Sequence, residues 1–171
     1  MELGRIETEN LIGTRVQQDD LGALYRMYTN EEVMYTLGGT KLFREAKEIH
    51  ANMMEHWEKY DFGIYILRDK VTGEFAGRGG LKKVTIENKE EIEILYALMP
   101  QFWGKGLALE IAKKSIDIAF EHLDIKDLIC FTWTENKKSQ KVMEKAGFKH
   151  EKNFTHYNLP HTLYRLKKGT P

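Results

Sequence analysis

The period of apolar and polar positions changes several times along the chain, and each change marks an element. Leu11 to Val16 is a short, partly apolar run that suits an opening strand. Asp19 and Asp20 follow as caps for a helix carrying Leu21, Leu24, Tyr25 and Tyr28. From about Arg44 to Tyr60, the spacing of Ile49, Met53, Met54 and Trp57 at three- and four-residue steps predicts an amphipathic helix. Phe62 to Leu67 reads as a strand and Lys70 to Gly73 as a turn. Gly73 to Gly77 then leads through Leu81 and Val84 as the hairpin partner. Glu87 to Glu91 is polar and predicts a turn, and Ile92 to Met99 is a nearly continuous apolar strand interrupted by Glu93. The helical period returns from Lys105 to about Leu123, through Leu107, Ala108, Ile111, Ala112, Ile116, Ala119 and Phe120. Leu128 to Thr134, rich in β-branched and aromatic residues, reads as a strand. A last helix is expected from near Asn136 to Gly147, a residue suited to a left-handed stop. Phe148 to Lys152 and Leu163 to Leu166 are weaker strand candidates.

Strand, helix and strand in succession between Ile92 and Thr134 require one parallel crossover inside an otherwise antiparallel sheet. The expected class is therefore α/β, a twisted mixed sheet flanked by helices. No linker, repeat or low-complexity stretch divides the sequence, so a single domain over residues 1–171 is expected. A hydrophobic share of 42% and a charged share of 30% fit a globular chain rather than a disordered one. Lys plus Arg number 26, as do Asp plus Glu, a balance that argues against a dedicated nucleic-acid binder. A lone cysteine, Cys130, makes no internal disulfide. Met1 to Glu7 has no apolar core of a leader, and no apolar run reaches the ~18 residues of a membrane span. The resulting expectation is a cytoplasmic protein with no nucleic-acid or membrane partner.

Candidate chemistry begins where the apolar strand meets the long helix. Pro100 closes the strand, and Gln101 to Gly106 connects it to the helix. Glycines at 104 and 106 leave the backbone uncrowded, Lys105 adds a positive charge, and the helix start supplies unsatisfied N–H donors. A diphosphate would suit such a loop, and a ligand-free glycine turn is the plain alternative. A Walker A loop would need glycine where Met99 stands and Ser or Thr where Gly106 stands. A dinucleotide fingerprint counted from Gly104 would need glycine at Leu109. Both fail.

The run Gln101-Phe102-Trp103-Gly104-Lys105-Gly106 resembles the pyrophosphate loop of the GNAT acetyltransferases, Gln/Arg-x-x-Gly-x-Gly/Ala, between a strand and a long helix. Asn136-Lys137-Lys138-Ser139 followed by Gly147-Phe148 is similar to that family's downstream Asn-x-x-Ser/Ala through Gly-Phe. Thr8-Glu9-Asn10-Leu11-Ile12 resembles the Thr-x-Arg-Leu opening of the ribosomal-protein N-terminal acetyltransferase branch, with Asn10 where arginine is usual. Gly73 to Gly77 resembles that branch's central hairpin. The resemblance covers most of the chain.

It implies an acetyl-CoA-dependent N-acetyltransferase whose co-substrate is acetyl-CoA and whose second substrate is an amine. Gln101, Phe102, Trp103, Gly104, Lys105, Gly106, Leu107 and Ala108 would hold the coenzyme A diphosphate through main-chain donors. Leu98 and Met99 would offer backbone groups to the pantetheine arm, which inserts between this strand and the one carrying Phe131 and Trp133. Asn136 either bonds the arm or simply caps the next helix.

In acyl transfer of this kind a neutral amine attacks the thioester, an oxyanion forms and a thiolate leaves, so a base and an acid are useful. Glu93 is the candidate base, because a carboxylate in an apolar strand tends toward a raised pKa; a structural salt bridge is its other reading. Glu91, on the same strand face, is the substitute. Many members carry a tyrosine where Met143 stands here, so Ser139 is the candidate acid and also a coenzyme contact, against the reading of a plain first-turn serine. Cys130 reads as a small core residue. His50 and His56 are off metal-ligand spacing, and no metal is expected. Met34 to Gly39 and Phe154 to Tyr157 are expected to line the acceptor cleft. Family acceptors include protein N-termini, polyamines, amino sugars and small amines, and the resemblance allows a homodimer. A non-catalytic acyl-CoA-binding module is the alternative to an enzyme.

Overall fold

A computed structural model describes residues 3–169; Met1, Glu2, Thr170 and Pro171, included in the single-domain expectation, lie outside the described residues. The elements run β1 (Arg5–Glu7), β2 (Leu11–Arg15), α1 (Leu21–Tyr28), α2 (Glu31–Met34), α3 (Phe43–Tyr60), β3 (Ile64–Asp69), β4 (Phe75–Ile86) and β5 (Lys89–Leu98). After these come α4 (Leu107–Asp117), β6 (Asp127–Trp133), α5 (Lys137–Lys145), β7 (Lys149–His156) and β8 (Leu159–Lys167). They build one eight-stranded sheet in the order β1-β2-β3-β4-β5-β6-β8-β7. Each neighbouring pair is antiparallel except β5 and β6, the parallel crossover expected from the sequence.

Helices pack on both faces. In α3 the buried positions Ala46, His50, Met53 and Trp57 repeat at steps of three and four, and Asp61 ends the helix in the left-handed region at φ 60°. On the other face Ile111 of α4 presses on β4, where a Cβ added to Gly79 would lie 3.0 Å from it. Arg78, one residue earlier, stacks over Tyr28 of α1 instead. The alternation of strand side chains thus assigns α1 and α3 to one face and α4 and α5 to the other. At Gly77 (φ 146°) an added Cβ would stand 2.1 Å from the Ala97 carbonyl oxygen, so only glycine lets β4 and β5 approach here.

Several boundaries differ from expectation. The turn read at Glu87 to Glu91 is only Glu87 and Asn88, both at positive φ, a two-residue hairpin that leaves Lys89 to Glu91 inside β5. Asp20 does not cap α1: its carboxylate accepts from the Gln17 N–H at 2.8 Å and pairs with Arg68 at 2.7 Å. The helix expected from Lys105 starts at Leu107 and widens into a π turn at Ile118–His122. Among the described residues no helix is long and apolar enough to cross a membrane.

Candidate active site

The parallel seam of the sheet is almost unpaired. Glu93 opposite Ile129 is its one register pair. Beyond it β5 continues through Leu98 and β6 through Trp133 with no ladder between them, so the two strands part. The Met99 N–H donates to the Ala76 carbonyl oxygen at 2.8 Å, which turns the odd residues of β5 toward β4 and leaves the main-chain edge of Tyr96 and Leu98 facing the gap. Such an edge is a template for an extended, hydrogen-bonding ligand. The Met99 N–H is committed to β4, and its carbonyl also accepts from the Phe102 N–H at 2.9 Å, which leaves that oxygen one lone pair for the arm. Leu98 keeps its N–H toward the gap while its carbonyl accepts from the Trp103 indole at 2.8 Å.

The loop that follows divides its work. Phe102 is buried, and the N–H groups of Phe102 and Trp103 close a 3-10 turn on Met99 and Pro100. The Gln101 side chain donates to Glu74 in the β3–β4 turn at 2.9 Å, which ties the loop to the hairpin rather than presenting an amide outward. From Gly104 to Ala108, by contrast, no main-chain N–H has an acceptor among the described residues. Gly104 (φ 72°) and Gly106 (φ 77°) both sit in the left-handed region, and a Cβ on either would meet nothing within 4 Å. Open space in front of successive free donors at a helix start is an anion cradle. Lys105 lies over the Phe102 ring at 5.3 Å, and Lys138, from the first turn of α5, over Trp103 at 5.7 Å. Lys138 escaped sequence reading because only the fold brings α5 to this loop. The helix is also anchored behind: Glu110 accepts from Thr8 at 2.7 Å and from the Asn10 amide at 2.5 Å, so the opening motif holds the first turn of α4.

Glu93 stands where the strands begin to part. It is buried, it has no hydrogen-bond or ion-pair partner among the described residues, and burial pushes its pKa up to about 7 against the pull of Lys82 and Arg78. A carboxylate held near neutrality is suited to exchange a proton. Glu91, the substitute, is excluded by its surroundings. Arg165 grips both its oxygens at 3.0 and 2.9 Å and Lys89 adds a contact at 2.9 Å. Burial alone would raise its pKa, but these partners win and hold it below its ordinary value.

Ser139 is brought to the other face of the gap. Its Oγ lies 3.0 Å from the Tyr96 hydroxyl, which also donates to the Ser139 carbonyl at 3.3 Å. Tyr96, on β5, was missed: a half-buried aromatic in an apolar strand carries no signal of its own, and its partner lies 43 residues away. Asn136 caps α5, accepting from the Ser139 N–H at 3.2 Å, and donates to Thr132 at 3.1 Å. Met143 and Cys130 are buried in the core, and burial raises the Cys130 thiol well above its usual range. His56 is a brace, its Nδ1 2.9 Å from the Phe62 carbonyl oxygen and its Nε2 accepting from the Lys83 N–H at 3.0 Å.

On the α1 side of Glu93, the expected cleft segments supply aromatic walls. Tyr35, largely exposed, meets Trp133 edge-on at 5.5 Å. His156 packs against Phe131 at 5.0 Å, Tyr157 at 4.3 Å and His161 at 5.4 Å. His161, Arg78 and Lys82 were not foreseen.

The comparisons agree with this geometry. The sequence profile described as "Acetyltransferase (GNAT) domain" matches residues 10–149. The Bacillus subtilis protein YkkB is 32% identical over 159 residues, covering 91% of this chain and 92% of that one. Among solved structures, the ribosomal-protein-S5-alanine acetyltransferase from Vibrio fischeri superposes with a TM-score of 0.77 at 18% identity, over 96% of this chain and 97% of that chain. The spermidine N-acetyltransferase from Vibrio cholerae, in complex with CoA and spermine, gives 0.75 at 17% identity, over 92% and 95%. The chain belongs to the GNAT acetyltransferase family.

Proposed function

We propose that this protein transfers an acetyl group from acetyl-CoA to a primary amine by direct attack within a ternary complex. The observation that carries the reading is Glu93, an unpartnered buried carboxylate at the point where β5 and β6 separate. The free N–H groups of Gly104 to Ala108 fit a diphosphate, with Lys105 and Lys138 lending positive charge. The edge of Tyr96 and Leu98 fits an amide-bearing arm laid along the gap as an added strand. The V. cholerae neighbour, a spermidine N-acetyltransferase determined with CoA and spermine, supports the reading that this fold takes a coenzyme and acts on an amine.

In this reading Glu93 takes a proton from the incoming ammonium, directly or through water. The free amine then attacks the thioester carbon, and the tetrahedral adduct loses its extra nitrogen proton to water. The C–S bond breaks as the oxyanion collapses to the amide, and the departing thiolate is protonated by a hydroxyl of the Tyr96–Ser139 pair, which water reprotonates. No covalent bond to the enzyme forms. Glu93→Gln tests it. Turnover should fall by about a hundredfold or more while acetyl-CoA affinity holds, and the acidic limb of the rate near pH 7 should disappear. Survival of both rate and limb would make Glu93 structural. Acetyl-CoA binding without thiol release from any amine would favour the acyl-CoA-binding module instead.

A further inference from the structure

The acceptor side of Glu93 is cationic in a way that its own fold does not use. Arg78 on β4 lies over the Tyr28 ring at 5.4 Å, and among the described residues it has no ion pair and no hydrogen bond. Its Nε is shut away from solvent without a partner, and so is the Tyr28 hydroxyl. Of the three buried side-chain polar atoms left unpaired among the described residues, two therefore belong to this one stacked pair. Buried polar groups are normally satisfied, and an orphaned pair asks for an explanation. The Nη nitrogens of Arg78 are not among the shielded atoms, so they reach solvent as free donors. Lys82, on the same face of β4, is exposed and also without a carboxylate partner. It stands directly across from Glu93 in the ladder, with Cα atoms about 5.5 Å apart for a hydrogen-bonded pair. Its charge is felt by His56 on α3 and His156 on β7 as well as by Glu93, which sets it at the mouth of the cleft.

The geometry points to an acceptor that carries a carboxylate a few bonds from its amine, with Arg78 and Lys82 binding the carboxylate and Glu93 receiving the amine. This rests on the acetyltransferase reading and narrows its substrate. A guanidinium with free Nη donors is shaped for a carboxylate, and desolvation beside Tyr28 strengthens the bond. A polyamine would meet the opposite field. Its second ammonium would face two unpaired cations, and like charge at close range costs affinity rather than supplying it.

The test pairs short amino acids with their amides and methyl esters and with spermidine, each added to the protein with acetyl-CoA while thiol release is followed. Amino acids should exceed their amides by about tenfold or more in kcat/KM, and spermidine should be poorer still. Arg78→Gln and Lys82→Gln should each pull the acid-to-amide ratio toward one, and Lys82, being exposed, offers a variant whose folding is not in question. Equal or greater activity on amides or spermidine overturns the proposal and leaves the acetyltransferase intact. A binding arm covers the case of no turnover: with coenzyme A present, an amino acid should raise Tm and spermidine should not. The reverse order of shifts overturns the proposal. Absence of any coenzyme A shift removes the reading beneath it.

Discussion

Glu91 and Glu93 sit two residues apart on one face of one strand, both buried, and the fold treats them in opposite ways. Glu91 is gripped by Arg165, which Asp127 and Glu151 hold from the other side, and Lys89 closes the cluster. Glu93, nearer the opening seam, has no contact partner and feels only the through-space pull of Lys82 and Arg78. The first arrangement fixes the end of the sheet where strands pair, and the second leaves a group free where they part. Their pH signs follow. Glu91 has a lowered pKa, so the stability it contributes is present above its ordinary value of 4.5 and is lost as pH falls through the lowered folded value. Glu93 has a raised one, so its ionisation costs stability as pH rises from 4.5 toward about 7. In the proposed reaction that cost is what keeps the carboxylate ready to take a proton.

Removing the grip should produce the largest effect. Arg165→Met leaves Glu91 buried with only Lys89 beside it, and unfolding free energy should fall by about 3 kcal/mol, the low end for breaking a buried pair because one partner remains. The loss should be greatest above pH 5 and shrink in acid, where Glu91 is protonated anyway. Denaturant melts across pH give the answer, and a loss that does not depend on pH would mean that Arg165 matters for packing alone. Glu91→Gln should leave the acidic limb of the rate in place, in contrast to Glu93→Gln.

The contrast between the two ends also explains what the sequence revealed. The loop and the long helix were legible because glycine spacing and a 3.6-residue period are local signals. The parallel crossover was legible because strand, helix and strand follow in order. Which of two glutamates is free was not, because Arg165 lies 74 residues from Glu91 and only the sheet order β5-β6-β8 joins them. Tyr96 was hidden likewise until α5 packed on β5. The π turn at Ile118–His122 was invisible in a helical pattern that never breaks.

A smaller effect is expected at the far end of the seam. At Gly104 the left-handed backbone, not crowding, sets the cost, since an added Cβ meets nothing within 4 Å. Gly104→Val should therefore destabilise the fold by about 1–2 kcal/mol, as a branched residue does in that region. Coenzyme A affinity should fall by about tenfold as the cradle loses its shape. Calorimetry on folded protein measures the second, and unchanged affinity would remove Gly104 from the cradle.

The smallest expected effect concerns Ser139 and Tyr96, and it asks whether the seam's second face is chemical or only structural. Their hydroxyls share a hydrogen bond at 3.0 Å, and burial raises the Tyr96 phenol further from ionisation, so it serves as a donor and not as a base. If Ser139 delivers a proton to the leaving sulfur with Tyr96 behind it, Ser139→Ala should lower kcat by up to about tenfold with acetyl-CoA affinity nearly constant. The effect is modest because a thiolate leaves without full protonation. Tyr96→Phe keeps the ring and removes the hydroxyl, and should give a similar loss. The pair acts as one unit in this account, so the double variant should be no worse than the worse single one. Additive losses would mean two separate roles. A fall in affinity with kcat intact would make Ser139 a contact for the arm. If neither constant moves while Tm drops slightly, the serine only completes the start of α5, and water becomes the donor to the sulfur.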